Sequence, residues 1–466
     1  MRTKQLQAIA SLTLIALLVS EALSQRPRRF RRPGSSPATA APTATTPKKA
    51  TKKEVEQYVA ITGGTVYIGT GQVLRNATVL IGDDKIEKVG PGIEIPKGAK
   101  ILDAKGKFVA PGFVIVNARG MGAGSTSDNP LDSVNPFDPQ IKMGLAVGIT
   151  SFLQSGGSGS SKPGGTSAIH KLAYGQLEGM VLQHGTVLKM GVPLTMAQMK
   201  AFRDSVAKAK EYKAKKAEYD AKKPTAGTAA TRPGSSSGGS SRSSRSSSSK
   251  APRAPSGAED LLAIMSGKKK LWINCRRGYN NAHIRQALSV ARLLGVGVVL
   301  EDPTTAWSIA DEVAAAGSMV ILNPREEVAR DPARPDTTGS NIAMARILDS
   351  VGVPVAVHPP SGRFGGATLG TGGILGQDLN TPHVDAAFAV RGGLDNRKGL
   401  RTITLDAARM MGAEARIGSL EPGKDADVLI LDGEPLHYRS FVETALVNGR
   451  IVYEKTKQPF YRHIKR

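Results

Sequence analysis

The order of short strands and strand–helix units constrains the fold of this chain more than any other feature. Over residues 58–103, short β-branched runs are separated by Gly, Asn or Asp, as in small strands joined by turns. From about residue 111 to 415, strands alternate with amphipathic helices, for example 271–275 followed by 282–294. Residues 426–453 return to short strands. The sequence therefore predicts an α/β fold: a β/α (TIM-like) barrel with a small β-sandwich built from both terminal segments.

The predicted segments begin with an export signal and a linker. Residues 1–24 combine a basic start, an apolar run over 8–22 and small residues before Gln25, which is typical of a secretory signal peptide. An uncleaved membrane anchor is the alternative. A secreted or periplasmic, cell-envelope protein is expected. The other predicted boundaries are 25–57 for a disordered basic linker, 58–110 and 416–460 for the two parts of the sandwich, 111–415 for the barrel, and 203–256 for a largely disordered Lys/Ser/Arg-rich insertion within it.

The positive charge is concentrated outside the predicted folded parts. Residues 26–53 carry nine basic and no acidic residues, and residues 203–253 carry thirteen basic and four acidic ones, so each stretch has a net charge of +9. Together they hold 18 of the 24 excess charges. A strongly basic, nucleic-acid-binding barrel is thereby disfavoured, and no specific nucleic-acid partner is expected. The two stretches are either solvated tethers or contacts for an anionic envelope surface.

Four local sequences resemble one known family. Residues 107–114 (KFVAPGFV) are similar to the start of the first barrel strand in amidohydrolases, and residues 417–429 (IGSLEPGKDADVL) are similar to their C-terminal signature. Residues 404–412 (TLDAARMMG) fit the helix before that signature, and 448–453 (NGRIVY) fit the closing strand. By these motifs the chain is identified as a member of the amidohydrolase superfamily, nearest to an imidazolonepropionase-like subgroup.

The resemblance implies a metal centre that the matching positions do not reproduce. Family members hydrolyse C–N bonds other than peptide bonds with zinc or another divalent metal, which lowers the pKa of a bound water at the carboxyl ends of the strands. Asn is a weak neutral ligand and Arg is permanently cationic. The seven histidines are also isolated in sequence. We therefore expect no family-type metal and no cofactor. The ligand positions match Asn117 and Arg119 (first strand), Asn274 and Arg276 (fifth strand) and Pro360 (eighth strand).

These vestigial positions have two interpretations. The arginines Arg119 and Arg276 would form a pocket for a small anionic ligand at the barrel mouth, because guanidinium groups match carboxylate or phosphate oxygens. Alternatively, they pair with Glu301 and Asp302 and only fill the vacated space, since a buried arginine needs a partner. The lone cysteine, Cys275, is predicted to be a small buried residue rather than a nucleophile, and it excludes an intramolecular disulfide.

Three residues are the candidates for any remaining catalysis. His358 lies near the position of the family's catalytic aspartate, and Asp302 follows the predicted sixth strand. Lys171 loosely matches the carboxylated lysine that some family members carry on a mid-barrel strand. Each also has a non-catalytic interpretation. His358 is then a histidine in a loop at a strand end, Asp302 a partner for arginine and Lys171 a surface lysine.

Three functional hypotheses follow. The first is a degenerate amidohydrolase that acts as a binding or scaffold protein, because ligands are replaced on several strands at once. In the second hypothesis the chain is an enzyme, a C–N hydrolase with a rebuilt site of Glu301, Asp302 and His358. Lys171 is a further candidate for that site. The third is polyanion binding through the two basic stretches. Neither the substrate nor the oligomeric state follows from the sequence.

Overall fold

The computed structural model describes residues 55–126, 129–159, 161–221, 251–275, 280–358, 367–368, 382–459 and 462–463. The predicted signal peptide, most of the predicted linker and residues 222–250 of the insertion lie outside the described residues. The described residues belong to one compact unit from Val55 onward. Within these ranges, no helix combines the length and apolar character that crossing a membrane requires.

Strands alternate with helices over residues 187–357 as predicted, whereas four strands follow one another over residues 149–191 with no helix described between them. The strands are β1 (Tyr58–Tyr67), β2 (Val73–Gly82), β3 (Lys85–Gly90), β4 (Lys100–Asp103), β5 (Phe108–Pro111), β6 (Phe113–Ile115), β7 (Ala118–Arg119), β8 (Ile149–Gly156), β9 (Thr166–Lys171), β10 (Val181–His184), β11 (Val187–Gly191), β12 (Lys270–Asn274), β13 (Val299–Glu301), β14 (Met319–Leu322), β15 (Val355–Val357), β16 (Ala367–Thr368), β17 (Val428–Leu431), β18 (Val442–Val447) and β19 (Arg450–Glu454). The α-helices are α1 (Pro139–Ala146), α2 (Met196–Ala221), α3 (Ala258–Met265), α4 (Asn281–Leu294), α5 (Ala310–Ala315), α6 (Met344–Ser350), α7 (Pro382–Arg391), α8 (Asn396–Thr402) and α9 (Leu405–Met411).

The two terminal segments meet in one eight-stranded sheet. Its strand order is β19-β18-β17-β5-β1-β2-β3, with β4 paired to β1. The junction is the antiparallel pairing of β5 with β17, in register from Val428 opposite Pro111 to Leu431 opposite Phe108. The β-branched residues of these strands suit a half-buried pleated surface. Both ends of the chain therefore contribute to one β unit, while the second, facing sheet of a sandwich stays a prediction.

The middle of the chain is a mixed α/β region built around two sheets. Strands β11 to β15 are consecutive neighbours and all parallel. The other sheet has the order β10-β9-β8-β6, in which β6 and β8 are parallel and β9 is antiparallel to β8. Hydrogen-bonded ladders of the described residues do not close these sheets into a full barrel, so closure stays a prediction.

One face of the parallel strands forms an inner core. Residues from five neighbouring strands lie in one buried cluster: Val187, Trp272, Val299, Ile321 and Ala356. Successive side chains of a strand point to opposite faces. Residues two positions further along each strand therefore face the same side, at the carboxyl ends of the strands.

Helix α2 runs through residues 203–221 of the insertion that was predicted to be largely disordered. Its apolar residues recur at helical spacing among lysines and are buried at Phe202, Val206, Ala209 and Tyr212. The exposed Lys208 and Lys210 lie between these positions. The first half of the helix therefore packs onto the domain, because its apolar residues make a continuous stripe.

Candidate functional site

The carboxyl ends of β11, β12 and β13 bring three polar side chains together. The ammonium of Lys189 donates to Glu301 Oε1 at 2.9 Å, and the amide of Asn274 donates to Glu301 Oε2 at 3.1 Å. Lys189 Nζ also lies 4.8 Å from the centre of the Trp272 ring. The parallel register, Gly191 beside Asn274 and Asn274 beside Glu301, sets this arrangement. We call Lys189, Asn274, Glu301, Asp302 and His358 the strand-end cluster.

The second part of the strand-end cluster is a histidine–carboxylate pair. His358 Nε2 lies 2.8 Å from Asp302 Oδ1, and both side chains are buried. Asp302 follows β13 directly and has a φ of +52°. Asp is one of the few residues other than glycine that adopt this left-handed conformation, and such strained positions gather at functional sites. The strand ends therefore hold an imidazole next to a carboxylate, a pair able to move a proton.

A buried ion pair lies next to this histidine. Arg325 Nε donates to Asp385 Oδ1 at 2.7 Å, and Asp385 is fully buried in the first turn of α7. Burial raises the pKa of Asp385 to about 6, against the lowering effect of Arg325 and, more weakly, of His358. Neither residue matches a motif of the family, so neither was predicted from the sequence.

Cys275 is buried, as the sequence predicted. Burial raises the pKa of its thiol, and the nearby carboxylates of Glu301 and Asp302 raise it further. A thiol is nucleophilic as the thiolate, which this surrounding disfavours. Cys275 is therefore a structural residue next to the strand-end cluster.

Of the remaining positions predicted from the family motif, two lie within the described residues and two lie outside them. Asn117 is half-buried and accepts a hydrogen bond from Ser155 at 3.4 Å. Arg119 is exposed on β7. Arg276 and Pro360 lie outside the described residues. Lys189 contacts Glu301, while the predicted pairing of Arg276 with Glu301 and Asp302 falls on a residue outside the described ranges and stays a prediction.

The structure does not bring Lys171 to the strand-end cluster. Because β9 is antiparallel to β8, Lys171 lies opposite Ser151, near the amino end of β8. Lys189, in contrast, lies beside Gly164 and next to the Met190–Gly159 bridge, beyond the carboxyl end of β8 at Gly156. The part of β8 from residue 151 to residue 156 is roughly 16 Å long, at about 3.3 Å per residue. Lys171 and Lys189 are therefore separated by at least this length along β8.

Lys171 belongs instead to a buried ionic cluster. Its ammonium contacts Asp425 Oδ2 and Asp427 Oδ1, both at 2.9 Å, and also the side-chain oxygen of Asn448. Arg416 and Lys85 bind the same Asp425. The lysine proposed as a mid-barrel metal ligand is therefore a structural link between β9 and the C-terminal signature.

Lys189 is the functional candidate that sequence reasoning missed. It stands in the run Val187-Leu188-Lys189-Met190, two positions after a residue of the inner core. A lysine at an inward position of an apolar strand is the signal that identifies it, since a buried lysine needs a paired anion.

The described residues do not fit the family's metal. A divalent metal site needs several carboxylate, imidazole or thiolate donors directed at one point. Here both oxygens of Glu301 accept N–H groups, one of them from a cationic ammonium. Within the described ranges, no group of three or more His, Cys, Asp or Glu side chains is arranged to hold a metal ion.

Comparisons with known proteins point to one superfamily. Residues 365–453 match the model of a family described as the amidohydrolase family. The fold is similar to that of an amidohydrolase from Thermotoga maritima, with a TM-score of 0.60, 24% identity, and 85% of this chain and 100% of the other covered.

Curated relatives match shorter stretches. An imidazolonepropionase of Thermoplasma volcanium is 26% identical over 161 residues, which cover 32% of this chain and 33% of that protein. A 5-methylthioadenosine/S-adenosylhomocysteine deaminase of Symbiobacterium thermophilum is 42% identical over 66 residues, covering 11% and 15%. The chain thus spans a third or less of the length of these relatives. The family matched over residues 365–453 and the solved structure with a similar fold are both described as amidohydrolases.

Proposed function

We propose that this protein uses the amidohydrolase fold to bind a small anionic ligand at the strand ends, without metal-dependent hydrolysis. We further propose a relationship to the imidazolonepropionase-like subgroup, supported by the similarity to the Thermoplasma volcanium protein. One observation carries the proposal: the carboxylate of Glu301 is held by Lys189 and Asn274. The family's C–N hydrolysis depends on a metal that activates water, and an ammonium group cannot replace that Lewis acid.

The anionic character of the ligand rests on the cations near the strand ends. Arg119 is exposed at the end of β7, and Lys189 is part of the strand-end cluster. Guanidinium and ammonium groups bind carboxylates through charge-assisted hydrogen bonds. Imidazolonepropionate, which combines a ring C–N bond with a carboxylate, is therefore a suitable first ligand to test.

Calorimetry and a turnover assay with imidazolonepropionate test this proposal together. We expect binding that a chelator does not change, no turnover with or without added zinc, and weaker binding by Arg119→Gln. The matched control is Arg285→Gln, which removes an exposed arginine paired with Glu312 on α4 and α5. Zinc-stimulated hydrolysis, or an absence of binding to every anionic ligand tried, would contradict the proposal.

A second candidate is the C–N hydrolase with a rebuilt site, and the 2.8 Å contact of His358 with Asp302 favours it. In that case the imidazole would act as general base on water. Turnover that persists without metal and falls on His358→Gln, with ligand binding kept, would favour this candidate over the binding protein.

Export and polyanion binding are further proposals, both based on residues outside the described ranges. N-terminal sequencing of protein from the native cell should begin at Gln25 if the signal peptide is cleaved. Deleting residues 25–55 and 224–255 should abolish salt-dependent binding to an anionic surface, and unchanged binding would exclude that role.

A further inference from the structure

We propose that Lys189 forms an imine with a small carbonyl compound that enters at the strand ends. The inference rests on the proposed function, because it needs a strand-end cluster that is not organised around a metal. It adds a covalent step that ligand binding does not require. The observations that carry it are the position, the burial and the partner of one lysine.

The first observation is the surroundings of the Lys189 amine. Its side chain is 10% exposed, next to Trp272 in the inner core and at the carboxyl ends of the parallel strands. Enzymes use buried lysines at such positions as nucleophiles toward carbonyl groups. The residual exposure leaves the amine within reach of a small molecule.

The second observation is a proton acceptor already in contact. Glu301 Oε1 lies 2.9 Å from Lys189 Nζ, within reach for direct proton transfer. Asn274 donates to the other carboxylate oxygen and fixes its orientation.

The step balances with these two groups alone. The ammonium of Lys189 gives a proton to Glu301, and the neutral amine then attacks the carbonyl carbon, forming a C–N bond. A proton passes from nitrogen to the former carbonyl oxygen, which gives a carbinolamine. Glu301 returns its proton to this hydroxyl group, the C–O bond breaks and water leaves. The products are a protonated imine on Lys189, one water molecule and the regenerated Glu301 carboxylate.

Lys171 provides a matched internal control. It is also a buried lysine paired with carboxylates, but its side chain is only 1% exposed and it lies at the opposite ends of the strands. Lys215 is the exposed control, at 63% side-chain exposure. The three lysines separate the effects of burial, ion pairing and position.

Reductive trapping tests the inference on the full chain. The protein is treated with limiting propionaldehyde and cyanoborohydride, and N-propyl lysines are located by peptide mass spectrometry. We expect Lys189 to be labelled faster than Lys215, and Lys171 to stay unlabelled. Glu301→Gln should slow labelling at Lys189 by about a hundredfold, as expected for loss of a general acid–base group, while Glu312→Gln should not.

Other outcomes would overturn the inference. These are labelling of Lys215 with Lys189 left unmodified, or equal labelling of Lys189 and Lys171. Because the first comparison uses the wild-type chain, it does not depend on the folding of a variant. If Lys189 stays unlabelled while metal-independent ligand binding persists, only the imine is refuted. Metal-dependent hydrolysis would instead refute the proposed function.

Discussion

Replacing Lys171 by methionine should destabilise the fold strongly. The change removes the ammonium that contacts Asp425 and Asp427 and keeps a side chain of similar length. Asp425 retains Arg416 and Lys85. Asp427 Oδ1 keeps the hydrogen bond that it accepts from the backbone N–H of Asn448, at 3.0 Å. The variant therefore leaves Asp427 as a buried carboxylate without its cation.

The size of the effect follows from that uncompensated charge. Removing one partner of a buried ion pair typically costs about 3–5 kcal/mol. The exposed pair of Lys398 and Asp349, at 2.6 Å, gives the control, since exposed pairs contribute about 0–1 kcal/mol. Urea unfolding of Lys171→Met, Lys398→Met and the wild type measures the difference in free energy of unfolding.

The effect should also depend on pH. Burial raises the pKa of Asp427 in the folded wild type, and the charge of Lys171 partly opposes this. Without Lys171 the folded pKa rises further above the unfolded one, so protonation favours the folded state. The stability deficit of Lys171→Met should therefore shrink as pH falls from 8 towards 5. A deficit below about 1 kcal/mol at pH 8 would refute the structural role of this lysine.

Three further predictions concern single buried groups. His170 is stacked on Phe152, and neither of its ring nitrogens has a hydrogen-bond partner among the described residues. His170→Phe should therefore add about 1–2 kcal/mol to the free energy of unfolding. Burial lowers the pKa of His170 from 6.5 to about 4, so the unfolded wild type binds a proton before the folded one does. The free energy of unfolding of the wild type should therefore fall as pH falls from 6.5 towards 4, and that of His170→Phe should lack this fall. Equal pH profiles would contradict the assignment. Burial raises the pKa of Asp385 to about 6. The free energy of unfolding of the wild type should therefore fall by up to about 3 kcal/mol as pH rises from 4 to 6. Asp385→Asn should lack that slope in acid titrations, and a variant that keeps it would exclude Asp385 as its source. The Cys275 thiol, buried and with its pKa raised, should react with a thiol reagent in urea but not in the native protein, and fast native labelling would exclude burial.

Sequence periodicity predicted the strands and their alternation with helices, because both depend on local patterns of apolar residues. The identity of the inward-facing polar residues depends on strand direction and register, which periodicity does not contain. Lys171 and Lys189 both stand in short apolar strands. They lie at opposite ends of the neighbouring strands because β9 is antiparallel to β8, whereas β11 is parallel to β12. His358 and Asp302 were predicted after the eighth and the sixth strand, as parts of one rebuilt site, and their side chains do meet. The pair of Arg325 and Asp385 brings together a loop and a helix 60 positions apart, and no local pattern predicts such a contact.

Metal content of the full chain, measured by mass spectrometry after purification without chelators or a histidine tag, tests the central claim most directly. We predict less than about a tenth of an equivalent of zinc, iron or manganese, because the carboxylate of Glu301 is held by Lys189 and Asn274. About one equivalent of metal, lost on Asp302→Asn or His358→Gln, would contradict a metal-free strand-end cluster.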